Sequence, residues 1–572
     1  MKLIRCSDVE LNPEILTLYQ PTSRGRHRYA ILSHTWSETG EITFQDLKRL
    51  ATVKQQKPRA WDKIYHSCRL AVAKGIEYLW VDTCCIDKSS SAELSESINS
   101  MFQWYAHAAI CFAYLEDYTP DPGYPDYDQF SNDLASCRWF ERGWTLQELI
   151  APQEVLFFDR HWNQFGTRSM LHEELASITR IRDDVLKRRE ADTGVKRLLA
   201  TIPICQRMCW AATRETTLVE DMAYCLLGIF DINMPLLYGE GGKAYKRLQD
   251  EIMKQSNDLS LFAWQTRAMP GFAEYQHDPD CYHNTFGLHS ILACSPRLFW
   301  NAEDMQPKHA SVASPELLAT SKGIKILSYI LPQASEPCLF FLPLNCRDEG
   351  CDEEWGVPIR HLGGGVFARA RSWTLVTDPR SRKEKRDTFH LVEPIYLANQ
   401  LPLETMSALP SLHRHAFRMT RLRVLEKTLK KAHWPPRYYD TMRHLWITHG
   451  LVSPTYCVSF YDGPVRSKLV MEPRREHLKL RAYFGCIDDR DPWVCLAGPQ
   501  TAYGLLRYDN KLDDDLLARV GWRAASCQYQ TARIVSEGKD FDIRAGIEEV
   551  VLDGEPIWQI SFDVTYIPGL NG

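Results

Sequence analysis

The sequence lacks the marks of a secreted, metal-binding or membrane-spanning protein. Its 18 cysteines are scattered over 572 residues without a Cys-x-x-Cys pair, so we expect buried thiols rather than a zinc site or a disulfide scaffold. The first residues contain no basic segment followed by an apolar one, which argues against a signal peptide. The most apolar run, residues 223–238, is interrupted by polar residues and is too short to cross a bilayer. We therefore expect a cytoplasmic protein without a transmembrane segment and without a bound metal.

An excess of charge of one sign is also missing. The 68 lysines and arginines nearly balance the 73 aspartates and glutamates, so a nucleic-acid partner is not expected. Tryptophan and tyrosine are abundant instead, at 17 and 25 residues, which favours large packed or binding surfaces. The length predicts about two to four domains.

Strand and helix patterns alternate over the first 160 residues. Short apolar runs typical of buried strands lie at residues 29–33, 78–81, 110–115 and 154–158, and helical patterns lie between them. The alternation predicts an α/β fold with a parallel, doubly wound sheet over about 26–160. A helical extension is expected over about 165–265. Within it, Thr217 and Glu220 predict a capping box and Gly228 predicts a helix end.

The segment RWFERGWTLQEL, residues 138–149, predicts a short helix after the third strand. Trp144 and Glu148 are four residues apart and would share one helix face. A carboxylate beside a large aromatic ring in a half-buried helix is a setting that perturbs its pKa. Two interpretations of Glu148 remain open from the residues alone. It is either a functional carboxylate or the ion-pair partner of an arginine such as Arg142.

Polar side chains follow the first two predicted strands. Ser33, His34 and Trp36 come at the end of the first strand, and Asp82 and Asp87 follow the second. In parallel sheets, ligands bind in the crevice at the carboxyl ends of the strands. We therefore expect these side chains to lie near the loop that precedes Glu148. Ser33 and His34 are expected to form hydrogen bonds in the wall of this crevice rather than to act in catalysis.

The remainder of the chain has a different character. Residues 266–285 are rich in Pro, Asp and His and predict a linker. From 286 to 572, short β-type runs separated by turn residues predict a largely antiparallel β region whose function the sequence does not reveal. Residues 412–431 predict a basic amphipathic helix, which would pack on the β region or lie on a membrane surface.

Five sequence blocks point to a family. They read YAILSHTW (29–36), ITFQDL (42–47), LWVDTCCID (79–87), RGWTLQEL (142–149) and TLVEDMAYCLLGIFDINMPLLYGEGGKAYKRLQDEI (217–252). In this order they resemble the fungal heterokaryon incompatibility (HET) domain, and residues 1–265 are identified as that domain. The resemblance implies an effector of vegetative incompatibility, in which non-self recognition after hyphal fusion ends in programmed cell death. Other incompatibility proteins or further copies of the chain are the implied partners.

A second resemblance concerns chemistry. The order of strands and helices is similar to that of TIR domains, and WTLQEL (144–149) resembles their Trp-Cys-x-x-Glu-Leu segment, with Thr145 in place of the cysteine. This implies a TIR- or flavodoxin-like sheet and a possible NAD glycohydrolase. Glu148 would then be catalytic, NAD the substrate, and no separate cofactor needed. Ser33, His34, Trp36, Asp82, Asp87 and Trp144 are the implied substrate-binding residues, with Trp36 or Trp144 stacking on a base. The alternative is a non-enzymatic signalling module that acts by protein interaction.

Overall fold

The computed structural model describes most of the chain up to residue 401 and a set of strands beyond it. The described residues are 1–11, 16, 18–20, 27–37, 39–120, 127–188, 194–266, 288–307, 315–328, 330–332, 339–348, 353–363, 365–372, 374–377, 393–401, 417–419, 429–434, 439–440, 445–446, 455–462, 478–487, 491–497, 529–536, 539–552 and 555–567. The chain divides into two compact units. One contains Met1–Cys281, Leu292–Ser311 and Arg347–Cys351, and the other contains the remaining residues.

The first unit is built around a sheet. Its strands are β1 (Leu3–Arg5), β2 (Leu18–Tyr19), β3 (Tyr29–His34), β4 (Tyr78–Trp80), β5 (Ile110–Tyr114), β6 (Val155–Phe158) and β7 (Gln164–Thr167). They lie side by side in the order β2-β1-β4-β3-β5-β6-β7. The four central strands, β4, β3, β5 and β6, are parallel. They carry the continuous apolar runs of the sequence because both faces of a parallel sheet are covered.

The edges of this sheet were not predicted. β1 pairs antiparallel with β4, and β7 pairs antiparallel with β6. The predicted parallel sheet is therefore the centre of a mixed one. Both added edges pair with neighbours through short segments whose hydrophobic pattern is too brief to identify from the sequence.

Helices surround the sheet and form the region after it. Their bounds are α1 (Cys6–Leu11), α2 (Leu50–Gln56), α3 (Pro58–Ala73), α4 (Asp82–Cys85), α5 (Ser91–His107), α6 (Tyr127–Ala135), α7 (Arg138–Glu141), α8 (Thr145–Ile150), α9 (His172–Thr179), α10 (Asp183–Leu186), α11 (Val195–Ala200), α12 (Ile204–Cys209), α13 (Asp221–Tyr224), α14 (Leu227–Phe230) and α15 (Lys243–Gln255). Short 3-10 helices lie at Gln45–Arg49, Leu259–Phe262 and Pro296–Phe299. The mixed α/β architecture of this part agrees with the sequence analysis. In the described part of the chain no helix is long and apolar enough to cross a membrane.

The later part of the chain is rich in strands, as predicted. These are β8 (Leu288–His289), β9 (Met305–Pro307), β10 (Leu317–Thr320), β11 (Gly323–Ser328), β12 (Leu331–Pro332), β13 (Leu339–Asp348), β14 (Trp355–Gly363), β15 (Val366–Ala370), β16 (Val376–Thr377), β17 (Glu393–Leu397), β18 (Phe417–Met419), β19 (Leu429–Trp434), β20 (Tyr439–Asp440), β21 (Leu445–Trp446), β22 (Thr455–Asp462), β23 (Leu478–Ile487), β24 (Asp491–Ala497), β25 (Tyr529–Ser536), β26 (Lys539–Leu552) and β27 (Glu555–Ile567).

Most pairings in the second unit are antiparallel. One sheet has the order β10-β11-β17-β15-β14-β13-β12, a second β20-β21-β18-β27-β26-β25, and a third β19-β22-β23-β24. Parallel pairs occur between β15 and β17 and between β18 and β27. A small apolar core in this unit includes Leu288, Leu339 and Ala368.

Two expectations from the sequence are wrong. The amphipathic helix predicted over 412–431 is not formed where that range is described, because Phe417–Met419 and Leu429–Trp434 are strands; its other residues lie outside the described ones. Cys294 is bonded in a disulfide rather than a free thiol. Residues 267–285 of the predicted linker also lie outside the described part, so the proposed domain limits stay predictions.

Gly228 has a packing role rather than the predicted role of ending a helix. It lies inside α14, which continues to Phe230 and is followed by Asp231 in the left-handed conformation at φ 56°. A methyl group on Gly228 would lie 2.1 Å from Cβ of Phe102 on α5. Since Cβ atoms do not approach so closely, only glycine lets the two helices pack as they do.

We expect Gly228→Ala to lower the free energy of unfolding by about 1–3 kcal/mol, the cost of overpacking a core. Chemical denaturation of the purified chain measures this. Gly194→Ala is the matched control, because a methyl group there meets nothing within 4 Å, and its effect should stay within about 0.5 kcal/mol. Equal stabilities of the two variants would contradict the packing role.

Candidate functional site

The segment predicted as one helix is two short ones. α7 ends at Glu141, and Arg142 adopts an extended conformation with ψ 130° before α8 begins at Thr145. The backbone N–H of Gly143 donates to the carbonyl of Glu215 at 2.7 Å. A methyl group on Gly143 would lie 2.6 Å from Cγ2 of Thr216. The chain therefore turns at Gly143 because a distant segment approaches its backbone closely.

Buried arginines bind both ends of α8. At its carboxyl end, Arg168 donates to the carbonyls of Leu149 at 2.9 Å and Pro152 at 2.7 Å, and Arg188 donates to Ala151 at 3.0 Å. These carbonyls have no partner inside the helix, and a cation at this end also interacts favourably with the helix dipole. No local sequence pattern indicates these contacts, since Arg168 lies beyond the next two strands.

Arg214 holds the amino end of α8 in the same way. Its Nη1 donates to the carbonyl of Arg142 and to the hydroxyl of Thr145, both at 2.9 Å. The side chain is buried, with 1% of its surface exposed. Burial lowers the pKa of Arg214 to about 10, which leaves it charged at neutral pH. The position of Thr145, and with it the start of α8, thus depends on a cation from the helical region.

Glu148 is the centre of a buried hydrogen-bond chain. The hydroxyl of Ser33 donates to its Oε2 at 2.5 Å, and the indole N–H of Trp139 donates to that hydroxyl at 2.9 Å. Ser33 lies one residue before the carboxyl end of β3, and Glu148 lies on the crossover between β5 and β6. Glu148 makes no ion pair with a residue that the structure describes. The side chain of Arg142 is instead turned to Trp36, 4.7 Å from the ring centroid.

Burial dominates the acidity of Glu148. The side chain is 8% exposed, and its burial raises the pKa to about 7. The hydrogen bond from Ser33 favours the charged form and lowers the pKa, whereas the negative charge of Asp82 raises it. Near neutral pH this carboxyl group is therefore present in both protonation states, as expected for a functional acid or base.

Trp36 and Asp82 contact each other near the hydrogen-bond chain of Glu148. The indole N–H of Trp36 donates to Oδ2 of Asp82 at 3.0 Å. Trp36 remains 43% exposed, and Nζ of Lys88 lies 3.8 Å from its ring centroid. Lys88 was not singled out from the sequence, although it directly follows Asp87 in the turn between α4 and α5, on the connection that leaves the carboxyl end of β4, where a ligand crevice is expected.

Trp144 faces the helical region. Its indole N–H donates to Oδ2 of Asp221 on α13 at 3.3 Å, and the hydroxyl of Tyr238 donates to the other oxygen at 3.0 Å. Burial raises the pKa of Asp221, while these two hydrogen bonds oppose the rise. The neighbouring Glu220 does not complete the predicted capping box. Its Oε1 accepts from the backbone N–H groups of Gly239 and Gly241.

His34 lies in a different polar cluster from Ser33. Its Nε2 lies 3.7 Å from Oε2 of Glu41, whose other oxygen accepts from Lys63 at 2.7 Å. Burial alone would raise the pKa of Glu41, but His34 and Lys63 outweigh it and lower the pKa to about 2. Consecutive side chains on a strand point to opposite faces, which separates His34 from Ser33.

Asp87 is part of a turn. Its Oδ1 accepts from the hydroxyl of Ser89 at 2.6 Å and from the side-chain amide of Gln45 at 2.7 Å. These hydrogen bonds lower the pKa of Asp87, and the bond from the Ser89 hydroxyl contributes most. The structure therefore brings together Ser33 with Glu148, and Trp36 with Asp82, and leaves Asp87 and His34 in local networks of their own. Among the described residues, no group of His, Cys, Asp and Glu is arranged to hold a metal ion.

Comparisons with known proteins agree with the sequence blocks. Residues 29–134 match the family model described as heterokaryon incompatibility protein (HET). The chain carries a HET domain. Residues 243–329 match a domain of unknown function, DUF8212, and this match crosses the predicted linker. The chain is also 43% identical over 235 residues to vegetative incompatibility protein HET-E-1 of Podospora anserina. That similarity covers 41% of this chain and 16% of the relative's length. No solved structure matches the chain.

We expect Glu148→Gln to change how the stability of the first unit depends on pH. The folded state keeps the Glu148 proton up to about pH 7, whereas an unfolded glutamate loses it near pH 4.5. The contribution of this group to the free energy of unfolding therefore falls as pH rises from about 4.5 to 7 and is constant above. Because glutamine does not titrate, the variant should gain up to about 3 kcal/mol relative to wild type between pH 5 and 8.

Urea denaturation at several pH values measures this difference. Asp46→Asn is the control. Burial raises the pKa of Asp46, but the hydrogen bond from Lys57 outweighs it and the pKa stays below its ordinary 3.8, so this group does not titrate between pH 5 and 8. Its difference from wild type should stay constant between pH 5 and 8. A Glu148→Gln difference that is equally constant would show that the carboxyl group titrates normally.

Replacing Arg168 tests the support of α8. Arg168→Leu leaves several buried carbonyls without donors, so we expect the free energy of unfolding to fall by at least about 3 kcal/mol. Arg182→Leu is the control, since Arg182 pairs with Asp184 on the surface and such pairs contribute about 1 kcal/mol or less. Thermal or chemical denaturation decides, and comparable losses in both variants would rule out the special role of Arg168.

Proposed function

We propose that this chain is an effector of fungal heterokaryon incompatibility whose HET domain cleaves NAD or a related nucleotide. Cell death would follow from loss of the cofactor or from the released product. The HET match and the likeness to a protein named for vegetative incompatibility support the biological role. The likeness covers a small part of that relative, so the activity proposed here rests on the chain's own residues.

The position of Glu148 carries the enzymatic part of the proposal. It is a buried carboxyl group hydrogen bonded to Ser33 at the carboxyl end of β3, with Asp82 close enough to raise its pKa. In parallel α/β sheets this edge is where ligands bind. None of the described residues forms a direct ion pair with Glu148, although the charge of Arg142 is near enough to lower its pKa.

The sheet order supports the likeness to TIR domains. The four parallel strands lie side by side as β4-β3-β5-β6. Numbered by their order along the chain, this is the order 2-1-3-4. This is the order of the first four strands in a flavodoxin-like sheet. Glu148 lies on the crossover between the third and fourth of these strands, where the TIR-like motif places its glutamate.

The chemistry suits such a carboxylate. The bond between C1′ of the ribose and the nicotinamide nitrogen breaks, and its electron pair leaves with neutral nicotinamide. An ionised Glu148 would stabilise the oxocarbenium-like state and accept a hydrogen bond from a ribose hydroxyl. Water then adds to C1′ and releases a proton. Because the leaving group is neutral, no strong general acid is required.

Nicotinamide release by the purified full-length chain tests the proposal. We expect Glu148→Gln to abolish release and Asp87→Asn to retain it, because the structure places Asp87 in a separate turn. The ionised carboxylate is the active form, so the rate should rise about tenfold from pH 6 to 8, through the pKa of about 7. Chromatography of the products measures both effects, and denaturation curves confirm that each variant is folded.

The outcomes separate the enzyme from a non-enzymatic signalling module. A folded wild type that releases no nicotinamide at any protein concentration, dilute or assembled, would contradict the enzymatic proposal. A folded Glu148→Gln variant that is as toxic as wild type on overexpression would do the same. Either result would favour a module that acts through protein contact.

A further inference from the structure

Two cations lie against one exposed tryptophan ring. Nζ of Lys88 is 3.8 Å from the ring centroid of Trp36, and the guanidinium carbon of Arg142 is 4.7 Å from it. The indole N–H donates to Asp82 at 3.0 Å, which fixes the orientation of the ring. Both cations therefore sit on a positioned aromatic surface that attracts positive charge.

Neither cation forms a direct ion pair with a described residue. Burial lowers the pKa of Lys88, and the charges of Asp82 and Asp221 oppose this from a greater distance. The nearby carboxylates have other hydrogen-bond partners, since Asp82 accepts from Trp36 and Asp221 accepts from Trp144 and Tyr238. Elsewhere in this unit, lysines such as Lys57 and Lys63 do pair with carboxylates. Two like charges that meet on one ring and contact no described carboxylate directly attract an anion, which competes for them with the more distant charges of Asp82 and Asp221.

The backbone of Arg142 is held in place. Its carbonyl accepts a hydrogen bond from the buried Arg214, and the backbone N–H of the next residue, Gly143, donates to the carbonyl of Glu215. This turn runs directly into α8, which carries Glu148. The cation and the carboxyl group are thus separated by a short, supported stretch of chain, an arrangement suited to binding two parts of one ligand.

We propose that Lys88 and Arg142 bind the diphosphate of a dinucleotide whose ribose reaches Glu148. The choice of a dinucleotide rests on the proposed function, whereas the anion site rests on the two cations alone. A guanidinium binds two phosphate oxygens and an ammonium group a third. Trp36 then serves as the platform for the cations, and a ring face covered by a cation is not open to a nucleotide base. This replaces the base-stacking role expected from the sequence.

Binding measurements on the full-length chain test the site without requiring turnover. Isothermal titration with ADP-ribose and with inorganic pyrophosphate should show binding, whereas nicotinamide riboside, which has no diphosphate, should bind at least tenfold more weakly. Lys88→Gln and Arg142→Gln should each weaken ADP-ribose binding about tenfold or more, because each removes at least one charge-assisted hydrogen bond. Arg138→Gln is the matched control, because this exposed arginine on α7 lies near Asp117. The affinity of this variant for ADP-ribose should equal that of wild type.

The results distinguish this site from the proposed function. Binding of ADP-ribose that both variants weaken, in a chain that releases no nicotinamide, would support the anion site and overturn the proposed cleavage. Nicotinamide release with an unchanged KM in folded Lys88→Gln and Arg142→Gln would overturn the anion site and leave the cleavage standing. Failure of folded wild type to bind either ADP-ribose or pyrophosphate would also overturn the site.

Discussion

The geometry of the candidate site depends on buried arginines that bind backbone carbonyls. α8 has six residues, Thr145–Ile150, and a helix of this length is not stable by itself in water. Arg168 and Arg188 satisfy the carbonyls at its carboxyl end, and Arg214 fixes its start. Burying a guanidinium group is costly unless its donors are satisfied. The carbonyls supply those partners for Arg168 and Arg188, and for Arg214 except at its Nη2, which has no partner among the described residues. The cations and the helix therefore stabilise each other and fix the position of Glu148.

The sequence predicts the central parallel strands of the fold because each of them is marked by its own short apolar run. Continuous apolar runs mark the parallel strands, and Tyr29–His34 lies where the first of them was expected. The break at Gly143 could not be predicted, because it results from a contact with Glu215, about seventy residues further along the chain. The same holds for Glu220, whose partners are the backbone of Gly239 and Gly241 rather than the start of its own helix.

The sequence alone already separates two of the candidate site residues, Ser33 and His34, which contact different partners in the structure. Ser33 and His34 are consecutive on one strand, and consecutive side chains point to opposite faces, so the two cannot lie on the same face of the sheet. Residues 412–431 illustrate the converse limit. A basic segment with apolar residues at helical spacing still contains short stretches that form strands, since long-range pairing overrides a local period. Strand Leu429–Trp434, for example, is paired along its whole length with Thr455–Asp462.

The two parts of the proposed site depend on each other electrostatically. Glu148 is already hard to ionise, because burial and Asp82 raise its pKa. A diphosphate bound nearby would add negative charge and raise that pKa further. Arg142 already lowers the pKa of Glu148 in the free chain, and together with Lys88 it would compensate part of the negative charge that the phosphates bring. In the proposed complex the cations therefore do more than retain the ligand. They allow Glu148 to carry its charge at neutral pH while an anionic ligand occupies the site, which is the condition that cleavage requires.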